Sequence, residues 1–421
     1  MFHLNNHHGY AENVPLQTLV ETYGTPLYVY SAAQIEKNYK NLSSAMAATG
    51  LKTKIHFAVK ANYNLAVLRH LCALGAGADV VSSGEMQRAL TAGMASSNII
   101  FSGVGKTDDE LRAAIAADVC QINLESAEEM ARLAALARTA NKKINCTVRI
   151  NPDVDANTHA KINTGKSEHK FGVDLQTAAE MFDAAGDVSE INLRGLSMHI
   201  GSQLLDVAPF DEAFSVMAKF ARDRAQIGHT IDMLDIGGGL GVTYHAQDKP
   251  ADLAKYAGHI KKHFSGFTGR IATEPGRFLV ADAGALLTRV VFIKRTAHKI
   301  FVVLDAAMND LMRPALYDAY HPIFPAAEPK SKDEMVCDIV GGICESTDKF
   351  ASDRALPANL QPGDLMVIGM AGAYGATMSN TYNARDLVAE VMVRGTDHAL
   401  VRERWSIAEQ LKLEKIPDWL R

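Results

Sequence analysis

Three features of this chain combine residue types that can do covalent or acid–base chemistry. The first is Lys60, in the run Ile55-His56-Phe57-Ala58-Val59-Lys60-Ala61-Asn62. Four of the five residues before it are apolar, as in a short buried strand, and Leu65-Ala66-Val67-Leu68 beyond it starts a helix. A lone lysine at a strand end is usually a solvated cation. At the mouth of a parallel barrel, partial desolvation lowers its pKa and makes it an amine that attacks carbonyls. The second feature is Gly237-Gly238-Gly239. Without Cβ atoms, backbone N–H groups can close on an anion there, or the glycines simply turn the chain tightly. No Lys-Ser/Thr pair follows, so this is not a P-loop. The third is Glu274 in Glu274-Pro275-Gly276-Arg277. A strand-end glutamate is commonly solvated or salt-bridged; against a ring nitrogen it would hold the proton there through a charge-assisted hydrogen bond.

The elements that must position these residues follow a repeat. Strand-like runs at 55–59, 78–82, 99–102, 121–124, 144–150, 193–200, 233–236 and 271–273 are each followed by a helical pattern, such as 108–117, 127–140 and 210–227. Eight strand–helix units predict a closed (β/α)8 TIM barrel, with an open doubly wound sheet as the rival. Ser31 is positioned as the N-cap of an additional helix over 32–48. Active sites of such barrels lie at the C-terminal ends of the strands. Those ends carry Lys60, Asp79 with Ser82–Glu85, Arg149 with Asn151, His199 with Ser202, the glycine run after Asp235, and Glu274 with Arg277. Loops after the last two strands commonly hold phosphate, which suits Gly238, Gly239 and Gly276. His199, by default a satisfied histidine, could stack on a cofactor ring. An amine for an aldehyde, a phosphate cradle and a carboxylate on one rim match pyridoxal 5'-phosphate, whose protonated ring spreads a carbanion's electron pair.

Beyond about residue 285 the texture changes to short β runs at 290–293, 299–304, 335–340 and 365–368 between Pro- and Gly-bearing loops. We therefore expect residues 1–30 to join a mostly β C-terminal domain (barrel or sandwich) over 286–421, through the strand near Leu27–Tyr30, with the barrel over 31–285. A length of 421 residues suits two domains. A net charge of -5 without a basic stripe argues against nucleic acid, and no apolar run reaches membrane-spanning length. Five scattered cysteines without CxxC spacing fit a reducing compartment and suggest neither disulfides nor a metal site. With no secretory pattern at the start, a cytoplasmic location is expected. His3, His7 and His8 fit a surface segment.

Taken in order, Phe57–Asn62, His169-Lys170-Phe171-Gly172, His199-Ile200-Gly201-Ser202-Gln203, Gly237–Gly239, Glu274–Arg277, Met308–Pro314, Cys344-Glu345-Ser346 and Gly372-Ala373-Tyr374 resemble the pyridoxal-phosphate enzymes of the alanine-racemase-like barrel class. The resemblance is to their decarboxylase branch, and within it to the bacterial meso-diaminopimelate decarboxylases. Gly341-Gly342 departs from the expected Gly-Pro. The resemblance implies that Lys60 attaches the cofactor, that Asp79, His199, Ser202, Gly238, Gly239, Glu274, Gly276, Arg277 and Tyr374 hold it, and that Glu274 faces its ring nitrogen. It further implies that Arg277, Arg313, Tyr317 and Tyr374 bind the substrate, that Glu345 reads its distal ammonium, and that Cys344 is a catalytic proton donor. By default such a cysteine is a small buried hydrophobe. The implied reaction converts meso-2,6-diaminopimelate to L-lysine and carbon dioxide, in homodimers whose sites are shared across the interface. Three rivals remain at this point: an ornithine- or arginine-type decarboxylase, a racemase of the same barrel class, and a non-catalytic homologue.

Overall fold

The computed structural model describes residues 2–5, 7–154 and 170–420; His169 of the quoted motif lies outside them. The chain divides into two units, Met1–Ile35 with Tyr244–Asp248 and Val280–Arg421, and Glu36–Thr243 with Lys249–Leu279. The short return of 244–248 to the first unit has no counterpart in the sequence reading.

In the second unit, strands Lys52–Ala58, Gly77–Val80, Ile99–Phe101, Gln121–Leu124, Ile144–Arg149, Ile191–Ser197, Met233–Asp235 and Arg270–Thr273 form a closed parallel barrel. The last strand pairs with the first, Thr273 opposite Ile55, which decides for the barrel against the open sheet. The helices begin where polar side chains satisfy free N–H groups. Asn64 accepts from Ala66 N, Ser82 from Glu85 N and Ser126 from Glu129 N, and Thr107 with Glu110 forms a reciprocal capping box. Helices Ala208–Gln226 and Leu253–Phe264 lock together through Phe210, Phe214, Tyr256 and Phe264, with ring centroids 5.0 Å apart for Phe210–Tyr256 and 5.7 Å for Phe214–Phe264. Each such buried ring contributes roughly 1.5–3 kcal/mol.

The first unit is mostly β. Its main sheet has nine strands: Lys349–Pro357, Glu334–Val340, Ile300–Leu304, Gly284–Arg295, Leu27–Ser31, Ala389–Arg394 and Asp397–Arg402 in spatial order, with Leu365–Ile368 branching from Gly284–Arg295 and Ile323–Pro325 pairing with Leu365–Ile368. Leu27–Ser31 runs antiparallel to Gly284–Arg295 and parallel to Ala389–Arg394, so the N-terminal strand does enter the C-terminal sheet. Ser31 caps the following helix as expected, accepting from Gln34 N at 3.1 Å. Strand Gly284–Arg295 is longer than the run read over 290–293, because its first half pairs with Leu27–Ser31 and Leu365–Ile368. The strands over 349–357 and 389–402 escaped the sequence reading: Lys349–Pro357 and Asp397–Arg402 interrupt their apolar residues with charged ones, and Ala389–Arg394 is a short run that carries the buried Glu390. Residues 2–15 add a three-stranded sheet, in which His3 stacks on Tyr10 and His7 pairs with Glu328.

Candidate active site

Lys60 stands just past the ladder rather than on it: the first strand ends at Ala58, and a 3-10 turn over Val59–Ala61 carries the lysine. Asn62 and Asn64 stabilise the exit, Asn64 N donating to Asn62 Oδ1 at 3.0 Å. The Lys60 side chain is 42% exposed, hence partly desolvated, and its Nζ lies 3.9 Å from Asp79 Oδ2. Asp79 is buried, and neither of its carboxylate oxygens accepts a hydrogen bond among the described residues.

Below this pair the barrel interior is polar. Gln121 and Asn123, two apart on the fourth strand, face inward, leaving Ile122 and Leu124 for the helix side. Thr147 Oγ1 donates to Asn123 Oδ1 at 2.6 Å, and Asn123 Nδ2 donates to Ser102 Oγ at 3.0 Å and to Asp235 Oδ2 at 3.1 Å. Gly237 N donates to Asp235 Oδ1 at 3.0 Å, and Ser102 Oγ lies 3.5 Å from Glu274 Oε1. Burial pushes Glu274 well above the usual carboxylate range; the charges of Asp235 and Asp79 add to the shift and the Lys60 ammonium opposes it. Asp235 is pushed up to about 6, again chiefly by burial.

His199 lies in the loop after the sixth strand, where its Nδ1 accepts from Gly238 N at 3.3 Å. Burial, then the charges of Lys60 and Arg149, hold its pKa well below the usual histidine value, so it is a neutral imidazole. Arg277 is buried and donates from Nη2 to Ser202 Oγ at 3.2 Å. The glycines are sterically required. A Cβ would lie 2.2 Å from Met198 O at Gly237, 2.2 Å from Glu274 O at Gly238 and 2.7 Å from Gly201 O at Gly239, and φ is +67° at Gly237 and +107° at Gly239. Close passage of the loops therefore explains the triple glycine whether or not an anion sits against it. Gly276 packs on Ala61 and Ala58, where its Cβ would approach to 3.0 and 3.2 Å.

The remaining candidates stand in the β unit. Arg313 begins the helix Arg313–Tyr317, is buried, places its guanidinium 4.9 Å from the Tyr244 ring centroid and lies 2.9 Å from His321 Nε2. Tyr317 ends that helix. Cys344 and Glu345 are exposed, with Cys344 N donating to Asn383 Oδ1 at 3.1 Å. Tyr374 is held at φ 56°, the left-handed region. Gly341 is needed sterically, with Ala307 Cα 2.5 Å from its ideal Cβ, whereas at Gly342 the nearest atom is Arg385 Nη1 at 3.5 Å. Nothing steric therefore demands glycine at 342.

Sequence reasoning missed Ser102, Asn123, Glu125 and Lys106. Glu125 accepts from Arg149 Nη1 at 2.8 Å and from Gly172 N at 2.6 Å, joining two strand ends to the turn at 170–172. Buried Lys106 donates to Gly103 O, Asn123 O and Glu129 Oε1, each at 2.7 Å. A signal existed, because parallel barrel strands are normally apolar on both faces. The alternation Gln121-Ile122-Asn123-Leu124 is therefore informative.

The donor set suits pyridoxal 5'-phosphate: an amine reaching the mouth, a neutral imidazole, and the buried acids Asp79, Asp235 and Glu274. Among the described residues no three His, Cys, Asp or Glu side chains are grouped to hold a metal ion, and no helix is long and apolar enough to cross a membrane. Fold and site thus define a pyridoxal-dependent barrel enzyme. In agreement, the family described as "Pyridoxal-dependent decarboxylase, pyridoxal binding domain" matches residues 32–281. A diaminopimelate decarboxylase of Zymomonas mobilis is 44% identical, the match covering 100% of this chain and 99% of the relative. The crystal structure of diaminopimelate decarboxylase from M. jannaschii in co-complex with L-lysine superposes with a TM-score of 0.95 at 35% identity, covering 100% of this chain and 99% of that one. The corresponding Helicobacter pylori enzyme, complexed with L-lysine, gives 0.90 at 39% identity over 94% and 98%. The chain belongs to the pyridoxal-dependent decarboxylases and, among them, to the diaminopimelate decarboxylase family.

Proposed function

We propose that this chain is the carboxy-lyase that removes carbon dioxide from meso-2,6-diaminopimelate to give L-lysine, the last step of lysine biosynthesis, using pyridoxal 5'-phosphate. The observation that carries the reading is the Lys60–Asp79–Asp235–Glu274 cluster at the barrel mouth, in a chain matching diaminopimelate decarboxylases over its full length. When bound, the cofactor supplies an aldehyde for amines and a protonated ring that delocalises the electron pair left at the α-carbon. Lys60 would supply the amine that holds it, His199, a neutral imidazole, would support the ring, and Glu274 would hold a proton at the ring nitrogen through a charge-assisted hydrogen bond. Ser202, Gly238, Gly239, Gly276, Arg277 and Tyr374 hold the phosphate and ring.

Arg277, Arg313 and Tyr317, with Tyr374, bind the distal carboxylate, where a planar guanidinium fork matches two oxygens. Glu345 pairs with the distal ammonium. An amine without the second carboxylate, such as ornithine, would give these buried guanidinium groups no carboxylate to match, which is how selectivity would arise. Cys344 returns a proton to the carbon that carbon dioxide has left. Its exposure, with that of Glu345, suits a homodimer in which these residues complete the partner's site. Five free thiols suit a reducing, cytoplasmic setting. The direct test is L-lysine formation from meso-diaminopimelate: it should require added pyridoxal phosphate after cofactor removal and vanish in Lys60→Ala. Turnover retained by that variant would overturn the reading.

A further inference from the structure

Cys344, Glu345, Ser346 and Thr347 form an exposed excursion between two buried residues, Ile343 and Asp348. Exposed side chains bring few packing contacts to fix a loop, so its position has to be set at its base. Asp348 does this. Its Oδ2 accepts from Ile343 N at 2.6 Å, closing the loop on itself. Its Oδ1 accepts from Met308 N at 2.7 Å, tying the loop to the segment that leads into the helix Arg313–Tyr317. Inside the excursion Glu345 N donates to Ile343 O at 2.8 Å, and Asp348 N donates to Glu345 O at 3.1 Å. The ideal Cβ at Gly341 would lie 2.5 Å from Asp348 Oδ2, so the glycine ahead of the loop is what leaves room for the carboxylate. On the outer side Asn383, exposed and held at φ 57°, accepts from Cys344 N at 3.1 Å.

The chemistry at 348 is specific to a carboxylate. Both partners are N–H donors and each takes its own oxygen, whereas a carboxamide of the same size would turn its NH2 toward one of them. Asparagine there keeps one tie and leaves the other amide unpaired. We infer that Asp348 is a positioning residue that holds Cys344 where it returns its proton, by pinning both ends of the loop, with Asn383 as the second support. The inference rests on the proton-donor role proposed above for Cys344.

A double-mutant cycle tests it. The quantity is kcat at saturating substrate and excess pyridoxal phosphate, for Asp348→Asn, Asn383→Gly and Cys344→Ala, and for each of the first two combined with the third. Misplacing a reacting group by about 1 Å can cost about 100-fold, so Asp348→Asn should lower kcat about 10- to 100-fold. Asn383→Gly, which tolerates the left-handed backbone but removes the acceptor, should lower it less. In the Cys344→Ala background both should change kcat less than about twofold, because a residue acting through another has no separate effect once that other is gone. Hydrogen exchange of the cofactor-free protein gives a readout apart from turnover: amides over 341–348 should exchange about tenfold faster in Asp348→Asn, with the rest of the sheet unchanged. An unchanged kcat in Asp348→Asn, equal losses in both backgrounds, or unchanged exchange in the loop overturns the inference. So does an Asp348→Asn protein that fails to fold, since the aspartate would then serve the fold at large. If Cys344→Ala alone keeps the parental kcat, the donor reading itself fails and takes this inference with it.

Discussion

The acid cluster depends on the fourth barrel strand, and Lys106 is what ties that strand's end down. Replacing Lys106 by Met removes a buried ammonium whose three hydrogen bonds, all 2.7 Å, go to Gly103 O, Asn123 O and Glu129 Oε1. Its side chain is 0% exposed and that of Glu129 9%, so water cannot replace the lost contacts. The variant leaves the Glu129 carboxylate buried without its cation and two carbonyls without a donor. Breaking a buried pair from one side costs about 3–5 kcal/mol. With a urea dependence near 3 kcal/mol per molar, the unfolding midpoint should fall by about 1–1.7 M. Glu129→Gln combined with Lys106→Met removes both charges while keeping an acceptor for the Glu125 amide, which Glu129 Oε2 serves now at 2.8 Å. The double variant should recover about 2 kcal/mol relative to Lys106→Met, the coupling expected of contacting groups. Equilibrium urea denaturation of the cofactor-free proteins measures both quantities. A single variant within 1 kcal/mol of the parent, or a double no more stable than Lys106→Met, would refute the argument that this pair anchors the strand.

Glu274→Gln should lower kcat about 10- to 100-fold with little change in KM, since a charge-assisted hydrogen bond worth roughly 1.5–3 kcal/mol weakens at the ring nitrogen while substrate contacts stay; an unchanged kcat would remove Glu274 from the chemistry. Glu85 gives a pH signature. Burial, with Asp79 adding, raises it to about 7 from an unfolded value of 4.5, against the opposing Val81 amide and Lys60. The folded state thus holds that proton more tightly, so its stabilisation is full below about pH 4.5 and is lost as pH rises through 7, by up to about 3 kcal/mol. Urea midpoints across pH 4.5–7.5 should decline more steeply in the parent than in Glu85→Gln, where the other raised carboxyls still contribute; equal slopes would remove Glu85 from the pH response. For the shared sites, mixing Lys60→Ala with Cys344→Ala subunits and letting them exchange should restore about a quarter of parental activity, since half the dimers become mixed and each carries one intact site. No gain over either parent would place each site within a single subunit.

How much of this was legible in the chain follows from the range of the forces involved. The eight strands were readable because apolar runs and helical periods are local, and capping residues such as Ser31, Ser82 and Thr107 mark helix starts within three residues. Lys60 and Glu274 were readable as strand-end residues for the same reason. The strands over 349–357 and 389–402 were not: Lys349–Pro357 and Asp397–Arg402 interrupt their apolar residues with charged ones, and Ala389–Arg394 is placed by its pairing with Leu27–Ser31 at the other end of the chain.

The order of the barrel units and the candidate lysine, histidine and acid were thus determined by the linear sequence, through patterns no longer than a helix turn or a strand. Only the tertiary structure decided which acids are buried near one another, that the triple glycine is demanded by loops passing within van der Waals distance, and that Asn123 and Lys106 underpin the site. Desolvation and charge coupling act through space. Asp79, Asp235 and Glu274 become one electrostatic unit because closing the barrel brings their strand ends around Lys60.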